Sequence, residues 1–404
     1  MIADGPPVEL INDMLSQQSM LRRLLAMIVL ILLATPISMP GVEAWRADGW
    51  LARDEIAGER LRMGDEFGCH GIPGEDLRED GAQVEECRDY LMDRTNASRW
   101  GANPLSYGVP DAELPVYVRE NLSGAGFKVL GDSSNYQWQG PEWVERNGGS
   151  LEKNVANSAL IEDAAAEGGL VSLYWEARIE DLNVRKDGDV VDWLEQQSVW
   201  YTTWGEYFSY RNGDCIASTA VTEFDDGFEL LVESTEDDEG WWCVPQTFHF
   251  STITATVLSV DADSVPLPKA VPEDGDLAES WRIEGDSLLI TYRAGTSIRI
   301  IADADLDYDV AMHSKVENFN NHSWAIAIAG YHCDDLFEWS SPFQESSLKF
   351  TWLVEPQADV VASYLLPAIA LVLMIVAPAA TWWTVRKERE RQTSQTTQTD
   401  YESE

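Results

Sequence analysis

One run of 21 uncharged residues, Tyr364–Thr384, constrains this chain more than any other feature of its sequence. As a helix the run would span about 31 Å, which matches the core of a bilayer. Two tryptophans end the run and a basic cluster follows it, a pattern typical of a stop-transfer segment; these residues are Trp382, Trp383, Arg386, Lys387, Arg389 and Arg391. The sequence therefore predicts a transmembrane helix over 362–385 and a cytoplasmic tail over 386–404. The alternative is a buried core helix.

A second, shorter apolar run lies near the start of the chain. Two arginines precede the 11 residues from Leu24 to Ala34, and Pro36, Pro40 and Gly41 follow. This order, with the small residues Val42 and Ala44 at positions −3 and −1 of the cleavage site, is typical of a secretory signal peptide. We expect residues 1–44 to be an N-terminal extension and signal cleaved after Ala44, with an uncleaved anchor as the alternative. Together the two segments predict a single-pass protein of the cell membrane, with its N-terminus outside and its C-terminus in the cytoplasm.

The region between these segments is strongly acidic. The chain has 70 acidic and 28 basic residues, and residues 45–360 hold 61 and 22 of them. Such a surface repels phosphate backbones, so the sequence predicts no nucleic-acid partner. Only 7 basic residues are lysine, which suits either a salty environment or an ordinary acidic secreted protein. A hydrophobic content of 45% and 17 tryptophans exclude a disordered chain.

All five cysteines lie in this outer region, where an oxidising compartment permits disulfides. Pairing of nearest neighbours predicts the bridges Cys69–Cys87 and Cys215–Cys243 and leaves Cys333 over. The sequons at Asn96, Asn121 and Asn321 are candidate glycosylation sites.

Hydrophobic periodicity predicts a mainly β fold with an α+β N-terminal part. Helical spacing marks residues 81–95, whereas Val171–Ile179 alternates as a half-buried strand and Asp225-Asp226-Gly227 marks a hairpin. We expect an antiparallel β-sandwich-like ectodomain of two domains plus the one C-terminal transmembrane helix. The predicted boundaries are an α+β/β-rich extracellular domain over 45–264, a Pro-rich acidic linker over 265–280 and a membrane-proximal β-sandwich over 281–358.

Four alternating aspartates form the one candidate metal site: Asp303, Asp305, Asp307 and Asp309. Carboxylate oxygens are the ligands that Ca²⁺ prefers. The run is not an EF-hand, because Tyr308 and Ser314 stand where that loop needs glycine and glutamate. The alternative is a solvated acidic face of a strand. No other cofactor is predicted.

Gly131-Asp132-Ser133 follows an apolar stretch and resembles the nucleophile block of the SGNH hydrolases. That family also needs an Asp-x-x-His motif. The nearest match here, Asp309 to His313, is one residue too long. The alternative interpretation is a turn after a strand, and no catalytic residue is assigned. Cys69-His70 and His332-Cys333 are neighbours in sequence and would point to opposite faces of a strand.

A further hypothesis is an aromatic platform formed by Trp200, Trp204, Trp241, Trp242 and Trp339. The alternative is that these tryptophans belong to the core. The leading functional hypothesis is a membrane-anchored cell-surface protein with a binding or structural ectodomain. Its partner would be an unknown extracellular protein, a glycan or a cation. The alternative is a surface-anchored hydrolase whose active site the sequence does not locate. A convergent cleft would favour the hydrolase, and two closed sandwiches would favour binding.

Overall fold

The computed structural model describes residues 54–72, 75–109, 114–131, 140–151, 157–176, 188–225, 227–234, 240–250, 256–302, 314–333, 343, 345–355, 374 and 376–389. Residues Trp45–Asp359 form one compact unit. Residues 374 and 376–389 belong to the other, and residues 376–389 are helical.

The elements are short. The helices are α1 (Asp54–Met63), α2 (Gln83–Met92), α3 (Val116–Gly124), α4 (Ser158–Ala166), α5 (Gly188–Leu194) and α6 (Trp204–Asn212). The strands are β1 (Glu66–Cys69), β2 (Ser106–Gly108), β3 (Val129–Gly131), β4 (Glu142–Val144), β5 (Gly169–Glu176), β6 (Trp200–Tyr201), β7 (Ile216–Phe224), β8 (Gly227–Ser234), β9 (Gln246–Phe250), β10 (Val257–Ala262), β11 (Val265–Pro266), β12 (Ser280–Glu284), β13 (Ser287–Tyr292), β14 (Ser297–Ala302), β15 (Ser314–Lys315), β16 (Trp324–Cys333) and β17 (Phe350–Val354).

Eight of these strands form one sheet in which every pairing is parallel. The strand order is β4-β3-β2-β1-β17-β16-β5, and β6 also pairs with β16. Helices separate most of the consecutive strands, as parallel connections require. The strands therefore all point their carboxyl ends the same way.

The two outer strands of this order are joined by the segment that follows β4. The side-chain amide of Asn147 donates to the Leu170 carbonyl at 2.9 Å, and its oxygen accepts from the Ser172 amide at 2.8 Å. Residues 148–151 then bond to the backbone of Ser172 and Tyr174 in β5. We call these eight strands with segment 147–151 the closed sheet. These contacts leave the sheet nearly closed, with an amino end and a carboxyl end.

The two faces of the closed sheet are visible along β16. Ile326 and Ile328 pack in one cluster with residues of α2, α3 and α4. Ala325, Ala327 and Ala329 point the other way, into a cluster with Trp204 of α6. Burial of each isoleucine contributes about 1.5–3 kcal/mol. The small alanines leave the interior free for larger side chains from elsewhere.

Helix α6 fills the amino end of the closed sheet. Thr203 caps the helix by accepting from the Glu206 amide at 3.3 Å. The Trp204 indole donates to the Ser172 hydroxyl at 3.0 Å, and the Gly205 amide donates to the Glu66 carboxylate at 2.8 Å. The first turn of α6 is therefore bonded to inward-facing groups of the closed sheet.

The residues between α6 and β16 form two antiparallel sheets, of order β11-β10-β14-β8-β7 and β12-β13-β9-β15. Their facing residues make a separate apolar core that includes Phe228, Leu288 and Ile300. We call residues 216–315 the inserted sheets. The Cys215–Cys243 disulfide joins the residue before β7 to the segment between β8 and β9.

The prediction of an antiparallel, sandwich-like ectodomain of two domains is wrong. Two strands in the region predicted as the membrane-proximal sandwich, 281–358, are β16 and β17 of the parallel sheet. The alternation of apolar and polar residues in β5 was expected to reflect a half-buried strand with one face in solvent. Its cause is different. Ser172 bonds to the buried Trp204 indole inside the closed sheet, so the polar face of this strand does not meet solvent.

The prediction of a transmembrane helix over 362–385 is also corrected. In the part of the chain that the structure describes, no helix combines the length and the apolar character needed to cross a bilayer. The described helix over 376–389 ends in the charged residues Arg386, Lys387, Glu388 and Arg389. Residues 361–373 and 375 lie outside the description.

Several local predictions are confirmed. Helix α2 falls within residues 81–95 and buries Val84, Cys87 and Leu91. The hairpin around Asp225 joins β7 and β8, with Phe224 opposite Gly227. Both expected disulfides, Cys69–Cys87 and Cys215–Cys243, are formed.

Candidate functional site

The carboxyl end of the closed sheet gathers polar residues that directly follow strands. His70 follows β1 and Glu355 follows β17, and these two strands are neighbours. In folds built on a closed parallel sheet with outer helices, active sites lie at the carboxyl ends of the strands. In the sequence, Asp132 directly follows β3 and Asp334 directly follows β16. Both residues lie outside the described part of the chain.

His70 and Glu355 contact each other. The His70 imidazole Nδ1 lies 3.3 Å from a Glu355 carboxylate oxygen, and the two side chains are 15% and 18% exposed. The His70 amide donates to the Val354 carbonyl at 3.0 Å, which extends the β1–β17 ladder by one residue. A histidine held by a carboxylate in a partly covered position can exchange a proton near neutral pH.

Two tyrosines and an arginine surround this pair. The Tyr331 ring meets the His70 ring edge-on with centroids 5.0 Å apart, and the Tyr174 ring meets Tyr331 at 4.7 Å. The Arg146 guanidinium carbon lies 3.6 Å from the Tyr174 ring centroid. We call His70, Arg146, Tyr174, Tyr331 and Glu355 the carboxyl-end cluster. The imidazole contacts the Tyr331 ring, which in turn contacts Tyr174 and Arg146.

Burial raises the pKa of Tyr331, and the nearby positive charge of Arg146 acts in the opposite direction. Tyr331 is 2% exposed. Its phenol therefore stays neutral across the physiological pH range. It can donate a hydrogen bond without changing charge when His70 titrates.

Gly108 in β2 makes room for the cluster. A Cβ atom at this position would lie 2.4 Å from His70 Cδ2 and 3.0 Å from both Leu353 Cδ1 and Tyr331 Cε1. Real Cβ contacts are longer, so any side chain here would displace the imidazole. The glycine is needed for the close approach of two aromatic rings and not for an unusual backbone angle.

A cleft of about 500 Å³ lies at the opposite, amino end. Glu142 from the start of β4, Gly169 from the start of β5 and Arg211 of α6 are among its lining residues. Several polar side chains that line the cleft already bond to one another: the Asn212 amide donates to Glu142 at 2.8 Å, and Arg211 bonds to Glu317 at 2.8 Å. We prefer the carboxyl end as the functional site, because the arrangement of parallel strands favours it and it holds the His70–Glu355 pair.

The residues proposed from the sequence for metal binding and nucleophilic attack are not tested by the structure. Asp303, Asp305, Asp307 and Asp309 lie outside the described residues, as do Asp132 and Ser133. Among the residues that are described, no group of three or more histidine, cysteine or acidic side chains could hold a metal ion. Gly131 does end a strand, as expected, and the Trp204 ring lies against it.

The sequons and the tryptophans occupy ordinary positions. Asn96 and Asn321 are exposed, and the Asn321 amide donates to Glu284 at 3.0 Å. Asn121 is half-buried in α3. Four platform tryptophans are core residues, and Trp339 lies outside the described part; the four are Trp200, Trp204, Trp241 and Trp242.

One feature of the sequence points to the His70–Glu355 pair but was not part of the prediction. The two residues are 285 positions apart, so no local motif joins them. Each follows a short apolar strand directly, and parallel neighbours bring such positions together. No family model, curated protein or solved structure matches this chain, so the assignment of its function depends on the geometry of the carboxyl end.

Proposed function

We propose that this chain is an exported hydrolase whose active site is the carboxyl-end cluster. The observation that carries the proposal is the contact between His70 and Glu355 where two neighbouring parallel strands end. The sequence alone favoured a binding or structural protein, because it locates no catalytic residues. A closed parallel sheet with converging polar residues supports the hydrolase instead.

Two disulfides support export. Cys69–Cys87 joins β1 to α2, and Cys215–Cys243 joins the residue before β7 to the segment between β8 and β9. Disulfides persist in oxidising compartments and are rare where glutathione keeps thiols reduced. The location at the cell surface stays a prediction from the sequence, and digestion of intact cells by added protease would test it.

The proposed chemistry assigns one role to each member of the pair. His70 takes a proton from the attacking water and returns it to the leaving group, because an imidazole changes charge near neutral pH. Glu355 fixes the orientation of the imidazole and stabilises its charged form. Tyr331 and Arg146 limit the movement of the pair from one side.

The pair is tested first without any substrate. The chain has five histidines, so their ring proton signals can be separated by nuclear magnetic resonance. In Glu355→Gln the carboxylate that favours the imidazolium is lost, so we expect the titration midpoint of His70 to move to lower pH. Glu273→Gln is the matched control, since Glu273 is exposed and far from both His70 and Glu355 in the sequence. An unchanged midpoint in Glu355→Gln would refute the pairing.

Activity is tested on chromogenic glycosides and esters. We expect His70→Ala and Glu355→Gln to reduce kcat by about 100-fold or more, as the loss of an acid–base group does. His249→Asn, in the inserted sheets, should retain full activity. Ligand binding without turnover in the wild-type protein would identify a binding protein and overturn the proposed hydrolysis.

A further inference from the structure

The cleft at the amino end of the closed sheet is a separate cavity that the proposed hydrolysis does not use. Its volume of about 500 Å³ falls within the range of pockets that bind small molecules. Contacts from Asn147 onwards join the segment after β4 to β5, whereas the starts of both strands line the cleft. The second half of α6 supplies further lining residues. The cleft is therefore bounded by two strands and a helix.

Four glutamates from three segments line this cleft. Glu142 begins β4, Glu145 directly follows β4, Glu167 directly follows α4, and Glu317 lies shortly after β15. Arg211 is the one basic residue among the described residues that line the cleft. Like charges on the walls of a cleft repel one another and focus a negative potential in it. A positively charged ligand would relieve that repulsion.

The cleft already holds one organic cation, the Arg211 side chain. Its Nη1 atom donates to a Glu317 carboxylate oxygen at 2.8 Å and to the Tyr207 hydroxyl at 3.2 Å. The guanidinium carbon lies 5.5 Å from the centroid of the Tyr207 ring. A carboxylate and an aromatic ring together attract a cation. One part of the cleft thus shows the recognition of a cation by groups of this chain.

The rest of the cleft has the same kinds of group without a cation. Glu145 and Glu167 are exposed, and neither forms a salt bridge with another residue in the described part of the chain. The half-buried Phe208 ring meets the Tyr207 ring edge-on with centroids 5.1 Å apart. Two carboxylates and an aromatic wall therefore line the space that Arg211 does not fill.

We infer that this cleft binds an aliphatic polyamine, with Glu145 and Glu167 paired to its ammonium groups and Phe208 packed against its methylene chain. A polyamine separates its charges by apolar segments, as the cleft separates its carboxylates by aromatic surface. A metal ion is a poorer fit, because no group of three or more metal-ligating side chains converges among the described residues. Anionic ligands would be repelled. The inference is independent of the proposed hydrolysis.

The experiment measures the binding of spermine and cadaverine to the full-length chain by calorimetry. We expect the double variant Glu145→Gln/Glu167→Gln to weaken spermine binding about three- to tenfold, as the loss of two exposed ion pairs does. Glu120→Gln/Glu273→Gln removes the same charge from exposed positions outside the cleft and should bind like the wild-type protein. Phe208→Leu should weaken binding about two- to fivefold through the loss of the ring.

Two further ligands test the chemistry of recognition. The pentanediol that corresponds to cadaverine has the same length without charge, and magnesium is a compact divalent cation without a methylene chain. We expect neither to bind at the cleft. If the diol bound as tightly as cadaverine, or magnesium as tightly as spermine, the polyamine assignment would be wrong.

The remaining outcomes separate a specific site from the general acidity of the chain. An equal loss of spermine binding in both double variants would show attraction to the whole acidic surface and overturn the inference. His70→Ala should bind spermine like the wild-type protein, so a loss of hydrolysis leaves this site untouched. Should the cleft variants fold poorly, the amide signals of Gly168 and Gly169 in the labelled wild-type protein must shift on addition of spermine while that of Gly124 stays fixed. Unchanged signals of the two cleft glycines would refute the site.

Discussion

The two ends of the closed sheet differ in how they treat buried polar groups. At the amino end the Glu66 carboxylate accepts hydrogen bonds from Ser106, from the Gly205 amide and from Thr351. Glu66 itself is fully buried. Each of these groups has a protein partner, and the first turn of α6 occupies the interior.

The carboxyl end leaves polar groups only partly covered. His70 and Glu355 contact each other there, and both are half-buried. Under the proposed function, the amino end stabilises the fold and the carboxyl end binds the substrate. Measurements of stability and of site geometry test the two ends independently.

The largest expected effect is in the interior of the closed sheet. Trp204, in the first turn of α6, is 2% exposed and packs against Gly131 at the end of β3, so Trp204→Ala should leave a large cavity. We expect the free energy of unfolding to fall by about 3–5 kcal/mol, measured by urea denaturation. His70→Ala at the other end should lower it by less than about 1 kcal/mol.

Trp382→Ala is the control for the loss of an indole, because Trp382 is 64% exposed. Its unfolding free energy should match that of the wild-type protein. If Trp204→Ala proved as stable as Trp382→Ala, α6 would not be packed inside the closed sheet, and the contrast between the ends would disappear.

A smaller effect is expected from a single methyl group at the carboxyl end. The Cβ of Gly108→Ala would lie 2.4 Å from the His70 ring, so the imidazole must move. We expect a loss of about 1–3 kcal/mol in stability, typical of overpacking, together with a shifted proton signal of His70. The signal is the sharper measurement, since it reports on the site and not on the fold.

Gly124→Ala is the matched control for that substitution. Gly124 is the last residue of α3, and its Cβ would meet no atom within 4 Å. Alanine favours helix over glycine by up to about 1 kcal/mol, so this variant should be as stable as the wild-type protein or more so. A His70 signal that moved equally in both variants would show that Gly108 has no special role.

The sequence predicted the elements whose hydrophobic periodicity is clear and missed the strands that are too short to show any. Helix α2 was found because Val84, Cys87 and Leu91 repeat at helical spacing. Strands β2, β3 and β4 have three residues each, too few to show any alternation. Without these three strands the parallel order of the sheet could not be predicted. The predicted fold class followed the antiparallel hairpins instead.

The candidate site was hidden for a related reason. Polar residues on a strand normally indicate a solvent-facing side. In β5, however, Ser172 faces the interior of the closed sheet, where it accepts from Trp204. The His70–Glu355 contact depends on the pairing of β1 with β17, strands from opposite ends of the folded region. Disulfides could be predicted because nearest-neighbour pairing needs no topology.

The smallest expected effect concerns the pH dependence of stability, which should arise at the amino end. Burial raises the pKa of Glu66 above its ordinary 4.5, although its hydrogen bonds act in the opposite direction. The folded protein therefore holds the proton more tightly than the unfolded chain. The stabilisation from Glu66 is fully present below pH 4.5 and is lost as the pH rises through the folded pKa.

Glu66→Gln removes this titration and keeps the shape of the side chain. We therefore expect the unfolding free energy of the wild-type protein, relative to Glu66→Gln, to fall as the pH rises above 4.5, by about 1.4 kcal/mol for each pH unit inside the window. Urea denaturation at several pH values between 4 and 8 measures this difference, and Glu167→Gln, an exposed carboxyl at the same end, should show none. A difference that grew with pH would mean that the donors around Glu66 favour its charged form over the effect of burial. The amino end would then be an anion-binding end, and the contrast with the carboxyl end would rest on packing alone.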